Sequence, residues 1–371
     1  MCYLHLEAIS NSLPERAFAR FYSIVVDSED RVHAPDLPWV TVRHSPGGGY
    51  NDDRGFQPGV MPDMSSTPSA PAVPPPGARH YPSPGAVLEL LKPITWFPPM
   101  WAYACGVVSA GVAILANWHI ALLGVVLAGP LVCAMSQAIN DWYDRDVDAI
   151  NEPERPIPSG RIPGRWGLYI AGIWSVLSLL VAALLGTWVF VAAIIGLVLA
   201  WAYSAPPLRL KRNGWWGNAA CGLCYEGLAW VTGAAAMLGG TLPAWPILAL
   251  AALYSTGAHG IMTLNDFKAI EGDRKMGIDS LPVLLGPQGA ARVACIVMVL
   301  PQLVVIALLL GWARPVEAGI VAGLLVAQLL MMRVFLRAPV DKALWYSGFG
   351  VPLFVLGMMA SAVAVARAGL A

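Results

Sequence analysis

Charge is what this chain has least of. Only 12% of its 371 residues are charged, about half the roughly 25% of an ordinary soluble protein. Neither sign is in surplus: 23 Lys and Arg stand against 23 Asp and Glu. The missing basic surplus excludes a nucleic-acid binder that works by bulk electrostatics. The missing acidic surplus excludes an acidic solvating tail. Cysteine is also scarce, at six residues. Cys105, Cys133, Cys221, Cys224 and Cys295 all sit in apolar stretches, which excludes a disulfide framework. Cys221 and Cys224 have a metal-type spacing, but no second pair follows, and small-residue packing explains them. Apolar residues are abundant: 57% of the chain is hydrophobic, and the mean hydropathy is +0.60. That excludes a typical water-soluble globule and points to one multi-span membrane domain.

The first eighty or so residues differ from the rest. Residues 1–82 carry Pro-Gly clusters, Gly47-Gly48-Gly49 and Pro74-Pro75-Pro76. Such a stretch buries too little apolar surface to offset its chain entropy, so it reads as a disordered extension. It has no apolar core with a basic flank and a small-residue cleavage site, so it is not a secretory signal. Met64 offers an alternative start. Residues 83–371 read as the membrane domain. From about Pro93 apolar runs follow one another, and a spanning helix needs about 20 such residues. Nine candidates fall near 94–115, 119–139, 167–186, 188–204, 218–238, 245–264, 290–311, 316–336 and 346–366. The fold class expected is therefore all-α and polytopic, since a helix satisfies its own backbone in lipid.

Lys and Arg set the orientation. The even-numbered loops carry Arg145, Arg155, Arg161, Arg165, Arg209, Lys211, Arg212, Lys268, Arg274, Lys275, Arg292, Arg333, Arg337 and Lys342. The other side carries Arg314 and Arg367. The even loops and the N-terminus are thus expected in the cytoplasm.

Two stretches on that face hold most of the acids. Asp141, Asp144, Asp146, Asp148, Glu152 and Glu154 follow the second run, and Asp266, Glu271, Asp273 and Asp279 follow the sixth. Charge at a bilayer is costly and commonly marks a working site. Asn140, Asp144 and Asp148 fall at i, i+4 and i+8, one helix face if the second helix extends past the membrane. Oxygen ligands stacked this way suit a hard cation such as Mg²⁺, which commonly bridges one or two carboxylates and a substrate's phosphates. Asp266 and Asp273 are seven apart, again one helix face, and Glu271 lies between them. A solvated, salt-bridged loop is the usual fate of a charge run, but nothing forces such a loop to recur. Arg145, Arg155, Arg209, Lys211, Lys268 and Arg274 lie on the same side and are candidates for holding a diphosphate. Arg212 stands beside Arg209 and Lys211 as a further candidate, and for these three ordinary positive-inside signalling is the competing reading.

The run Asn140-Asp141-x-x-Asp144-x-x-x-Asp148, with Asn151-Glu152-Pro153-Glu154-Arg155-Pro156-Ile157-Pro158-Ser159-Gly160 after it, resembles the UbiA-type membrane prenyltransferases. The likeness covers roughly residues 85–370. Within that superfamily, Tyr203 to Asn218 and Asn265 to Arg274 look most like the chlorophyll and bacteriochlorophyll synthases. Trp215-Trp216 and Cys224 to Trp230 lean toward the bacteriochlorophyll branch. One departure stands out: Asp266 has no acid four residues on, so the second-motif ligands stay open among Asp266, Glu271 and Asp273.

The resemblance implies a nine-helix bundle, two Asp-rich motifs, Mg²⁺ as cofactor and a prenyl diphosphate substrate. It implies transfer of a geranylgeranyl or phytyl group to the propionate of (bacterio)chlorophyllide, with Asn140, Asp144, Asp148, Asp266 and Asp273 catalytic. A quinone, haem or lipid acceptor is the alternative. It also implies a bacterial inner membrane and the company of other pigment-synthesis or photosynthetic membrane proteins. The acceptor carboxylate is already anionic at neutral pH, so no catalytic base is required, which suits a sequence without a His-based dyad. Tyr203, Glu226 and His259 are candidates for touching the acceptor; a hydrogen-bonded core role competes for His259 and a helix–helix hydrogen bond for Glu226. A transporter or pigment-binding protein would also hold intramembrane charge. The similarly oriented pair of Asp-rich loops, with no inverted repeat, favours an enzyme.

Overall fold

The computed structural model describes residues 81–371. The expected extension, 1–82, and the start at Met64 lie outside the described residues but for 81 and 82. Helices make up the whole framework, and no strand forms among the described residues.

A short helix, α1 (Pro84–Leu91), starts the described chain, with Ser83 accepting from the Ala86 amide at 3.3 Å as its N-cap. Nine longer helices and one further short one follow: α2 (Phe97–Ser109), α3 (Leu115–Asn151), α4 (Trp166–Leu185), α5 (Thr187–Ser204), α6 (214–237), α7 (Trp245–Asp266), α8 (Ile270–Met276), α9 (Leu281–Gly311), α10 (Pro315–Phe335) and α11 (Pro339–Ala368). Two of them widen into π turns, α3 at Leu127–Cys133 around Pro130 and α6 at Leu223–Leu228. Pro130 lacks the N–H an α turn needs, so the wider turn relieves its ring. Gly286, at φ 69 and ψ 161, breaks the start of α9 just before Pro287.

Seven helices, α3, α4, α5, α7, α9, α10 and α11, are long and apolar enough to cross a membrane. The protein is thus a multi-pass membrane protein. Nine spans were expected, and the two near 94–115 and 218–238 do not meet that standard. Helix α2 has 13 residues, about 20 Å at 1.5 Å per residue, against a hydrocarbon core of about 30 Å. Pro98 and Pro99 confine its start, and Gly111 at φ 65 follows its end. Helix α6 is diluted by Gly, Asn218, Glu226 and Thr232 and interrupted by its π turn. The two pack on each other: a Cβ on Gly106 would collide with the Trp230 carbonyl, and one on Gly233 with the Tyr103 carbonyl. Backbones approach this closely only over small residues, which drive helix association in lipid.

Polar ties inside the bundle are mutual. Gln302 of α9 and Gln328 of α10 exchange amide hydrogen bonds at 3.3 and 3.0 Å. Tyr254 of α7 meets Ser361 of α11 at 2.8 Å. The basic loop 205–213 is pinned to the second acidic loop by a parallel bridge, Gly214 N to Asp279 O and Asp279 N to Arg212 O, each 2.8 Å. Asn213 then caps α6, its Oδ1 accepting from the Trp215 and Trp216 amides.

Candidate active site

A cavity of about 2070 Å³ opens among α1, α3, α5, α6, α7 and the loops at one end of the bundle. One end of it is charged. Asn140, Asp144, Asp148 and Asn151 line it from α3, whose helix continues through the acidic stretch, so the i, i+4, i+8 spacing does fall on one face. Arg209, Lys211 and Arg212 line it from the 205–213 loop, and Asp266, Lys268 and Asp273 from the second acidic stretch. The other end is apolar and lined by small side chains, Ala192, Ala193, Gly196, Ala200, Ala220 and Ala229, with Leu127 and Val132. The π turns of α3 and α6 both reach this wall and are tied there: Gln137 Nε2 and Cys133 Sγ donate to the Tyr225 hydroxyl at 3.2 and 3.5 Å.

Cations already hold the first-motif carboxylates. Lys211 Nζ lies 2.5 Å from both oxygens of Asp144, and Arg209 adds a contact at 3.2 Å. Burial pulls the Lys211 ammonium below the usual lysine range, and Asp144 opposes that. Arg209 takes the left-handed backbone, φ 41, a conformation costing about 1–2 kcal/mol for a residue with a Cβ. That turn aims its guanidinium at Asp144 and the Tyr143 carbonyl. Arg155 Nη1 donates to Asp148 at 2.9 Å. Asn140 gives its amide N–H to Ser204 at 3.4 Å, which leaves its oxygen as the atom for a cation.

The second motif is built differently from the spacing argument. Helix α7 ends at Asp266, and a turn at 267–269 intervenes before α8. Asp266 and Asp273 therefore do not share one continuous helix face. They reach the cavity from two elements because the chain leaves helical geometry at Ala269, φ −106 and ψ 2, while Phe267 packs in the core against Phe335. Within α8, Asp273 and Met276 face the cavity, whereas Glu271 and Arg274 are exposed outside it. Burial pushes the Asp273 carboxyl above its usual range. Asn218 donates to Asp266 at 3.1 Å and to Thr263 at 3.3 Å.

Arg145 also lies off the cavity. One residue past Asp144, it turns to the neighbouring face, lies over the Trp142 ring at 4.6 Å and donates to the Trp142 carbonyl. Tyr203 lines the cavity. His259 and Glu226 are buried behind its wall: His259 Nε2 donates to the Trp215 carbonyl at 3.2 Å, and the Trp215 ring lies 5.7 Å from its own. Lys92, Asp141 and Asn218 belong to this constellation without having been singled out as site residues. Lys92 carried a signal, as the last basic residue before the first apolar run.

A hard divalent cation fits this donor set. Asn140, Asp144, Asp148, Asn265, Asp266 and Asp273 offer only oxygen to the cavity. No three Asp, Glu, His or Cys side chains converge on one point among the described residues. A metal would thus take one or two carboxylates and complete its shell with substrate oxygens and water, the habit of Mg²⁺.

The sequence model of the UbiA prenyltransferase family matches residues 93–366. The chain belongs to the UbiA prenyltransferase family. As a member it is a prenyltransferase, and the match takes in every cavity-lining acid from Asp144 to Asp273. Among its relatives, the bacteriochlorophyll synthase 33 kDa chain of Cereibacter sphaeroides is 61% identical over 287 residues, 77% of this chain and 95% of that one. The chloroplastic chlorophyll synthase of Oryza sativa subsp. japonica is 40% identical, covering 76% of each chain. A UbiA homolog from Archaeoglobus fulgidus, solved bound to DMAPP and Mg²⁺, shares the fold with a TM-score of 0.58 at 24% identity, over 74% of this chain and 98% of that one.

Proposed function

We propose that this UbiA prenyltransferase transfers a C20 group, geranylgeranyl or phytyl, from its diphosphate to the propionate of bacteriochlorophyllide. The single observation that carries the reading is the two-ended cavity, charged at one end and lined with small apolar side chains at the other. A prenyl diphosphate has that same division. The 61% identity to a bacteriochlorophyll synthase supports the choice of acceptor.

In this reading the allylic C1–O bond breaks, and the electron pair leaves with the diphosphate. A propionate oxygen then forms the new bond to C1, giving the ester and free diphosphate. When bound, Mg²⁺ supplies Lewis-acid stabilisation of that leaving group and a template for it. Asn140, Asp144 and Asp148, with Asp266 and Asp273, would hold the ions. Lys211, Arg209, Arg155 and Lys268 supply preorganised positive charge for the phosphates. The walls at Ala192, Ala193, Gly196 and Ala229 take the tail and exclude water from the reacting carbon. Tyr203 is the acceptor-side contact that faces the cavity. Nine membrane crossings, with α2 and the 214–237 helix as the two lesser ones, complete the proposed topology. The acidic loops and the N-terminus would face the cytoplasm of a bacterial inner membrane.

The test is an assay in membranes with Mg²⁺, geranylgeranyl diphosphate and a panel of acceptors. The reading expects esterified bacteriochlorophyllide. Prenylation of an aromatic acid with no pigment ester would overturn the acceptor assignment.

A further inference from the structure

One acid of the first motif faces away from the cavity. Asp141 follows Asn140 and so lies about 100° around the helix from it. Its side chain is 2% exposed. Lys92 Nζ donates to its Oδ1 at 2.6 Å, and Arg155 Nη1 stands 3.6 Å from the same oxygen. Its Oδ2 is buried without a hydrogen-bond partner. Both cations themselves line the cavity, Lys92 from the residue after α1 and Arg155 from the loop after α3. Asp141 does not line it. The carboxylate thus sits behind two cations that come from elements 63 positions apart (155 − 92).

An ionised carboxylate this deeply buried is costly unless paired, and two cations at this range pair it. The cost of separating them fixes where the cations stand. Lys92 has a second constraint: its backbone is left-handed, φ 47, a conformation a lysine does not choose by itself. Its amide closes α1 onto the Glu89 carbonyl at 3.2 Å. Arg155 divides its guanidinium among three carboxylates: Nε donates to Glu152, and Nη1 stands between Asp148 at 2.9 Å and Asp141 at 3.6 Å.

We infer that Asp141 is a positioning residue for diphosphate binding: it holds Lys92 and Arg155 at the charged end of the cavity, ready for phosphate oxygens, and does not itself touch metal or substrate. The inference rests on the proposed reading of the cavity as a prenyl diphosphate site. It predicts a division of labour in the first motif. Asn140, Asp144 and Asp148 face inward, and Asp141 orders the cations beside them from behind.

The experiment measures geranylgeranyl diphosphate binding to the full-length protein in detergent with Mg²⁺ and no acceptor, alongside thermal unfolding and Mg²⁺ titration. Asp141→Asn keeps the shape and removes the charge. Its diphosphate Kd should rise on the order of tenfold, the size of effect seen when a group that orients a binding residue is lost. In turnover the loss should appear in the KM for the diphosphate, with the KM for the acceptor and the Mg²⁺ dependence unchanged. Asp141→Glu should recover part of the affinity. Lys92→Gln combined with Asp141→Asn should cost less than the sum of the two, because they act as one unit. A purely structural role would lower the unfolding temperature and the active fraction while leaving Kd unchanged. An Asp141→Asn protein that is folded and binds the diphosphate as tightly as the parent, or more tightly, overturns the inference. If the parent protein binds no prenyl diphosphate at all, the reading of the cavity fails instead.

Discussion

Asp144→Asn separates what the first-motif carboxylate does for the fold from what it does for the reaction. The side chain of Asp144 is 24% exposed and that of Lys211 13%, so the pair lies between the surface and buried limits. Surface pairs contribute under about 1 kcal/mol, and breaking a buried pair costs about 3–5 kcal/mol. About 2 kcal/mol is the value expected here, because losing the carboxylate leaves Lys211 and Arg209 facing each other with less compensation. That corresponds to several degrees in unfolding temperature. Turnover should fall much further, by about 10²–10³-fold, the size of loss when a preorganised electrostatic element of a site is removed; here the carboxylate would act through the ion it holds. Inorganic pyrophosphate should then restore more of the variant's thermal stability than of the parent's, since two cations have lost their internal counterion. The assay pairs thermal unfolding in detergent with prenyl transfer in membranes. A folded Asp144→Asn protein with more than a tenth of parental turnover would refute the reasoning.

Three further outcomes follow from the fold. Gly233→Val forces a side chain into the Tyr103 carbonyl at the α2–α6 crossing and should cost the roughly 3 kcal/mol at the upper end of overpacking, read as a loss of folded yield. Gln302→Leu leaves Gln328 without its partner and should cost about 1 kcal/mol, while the double Leu variant should recover most of it; a double-mutant cycle checks this. Arg161 holds the Glu89 carboxyl below its usual range, so this tie stabilises the attachment of α1 at neutral pH and loses that contribution as pH falls through the lowered folded value. Hydrogen exchange over residues 84–91, corrected for intrinsic rates, should rise in acid in the parent and stay flat in Glu89→Gln.

Much of the site was legible because its spacing is helical and its charge is rare. Asn140, Asp144 and Asp148 could be placed on one face from sequence, since a helix that leaves a membrane keeps its period. Most of the cavity's cations were legible for the same reason: charges in so apolar a chain have few places to be. Pairings between distant positions were not legible. Nothing local links Lys92 to Asp141, or Asn218 to Asp266, and both pairs exist only once the helices pack. The second motif misled because the seven-residue spacing suits a helix, while the chain turns at 267–269 and restarts as a separate helix at Ile270. Glu271 and Arg274 went outward with that turn. The two lesser spans read as full-length from hydropathy because such windows do not register Pro98, Pro99 or a π turn, which leave α2 and the 214–237 helix short of the length and apolarity of the other seven. The helix pair built around Gly106 and Gly233 packs by backbone approach rather than by apolar length.

The central claim is that a propionate oxygen attacks C1 of a prenyl diphosphate held in this cavity. The direct measurement uses bacteriochlorophyllide labelled with ¹⁸O in both propionate oxygens, incubated with the protein, Mg²⁺ and geranylgeranyl diphosphate. The account predicts a pigment ester that keeps both labels, unlabelled diphosphate, and about 10²–10³-fold less ester from Asp144→Asn. An ester that has lost one label, or the absence of any pigment ester, would contradict it.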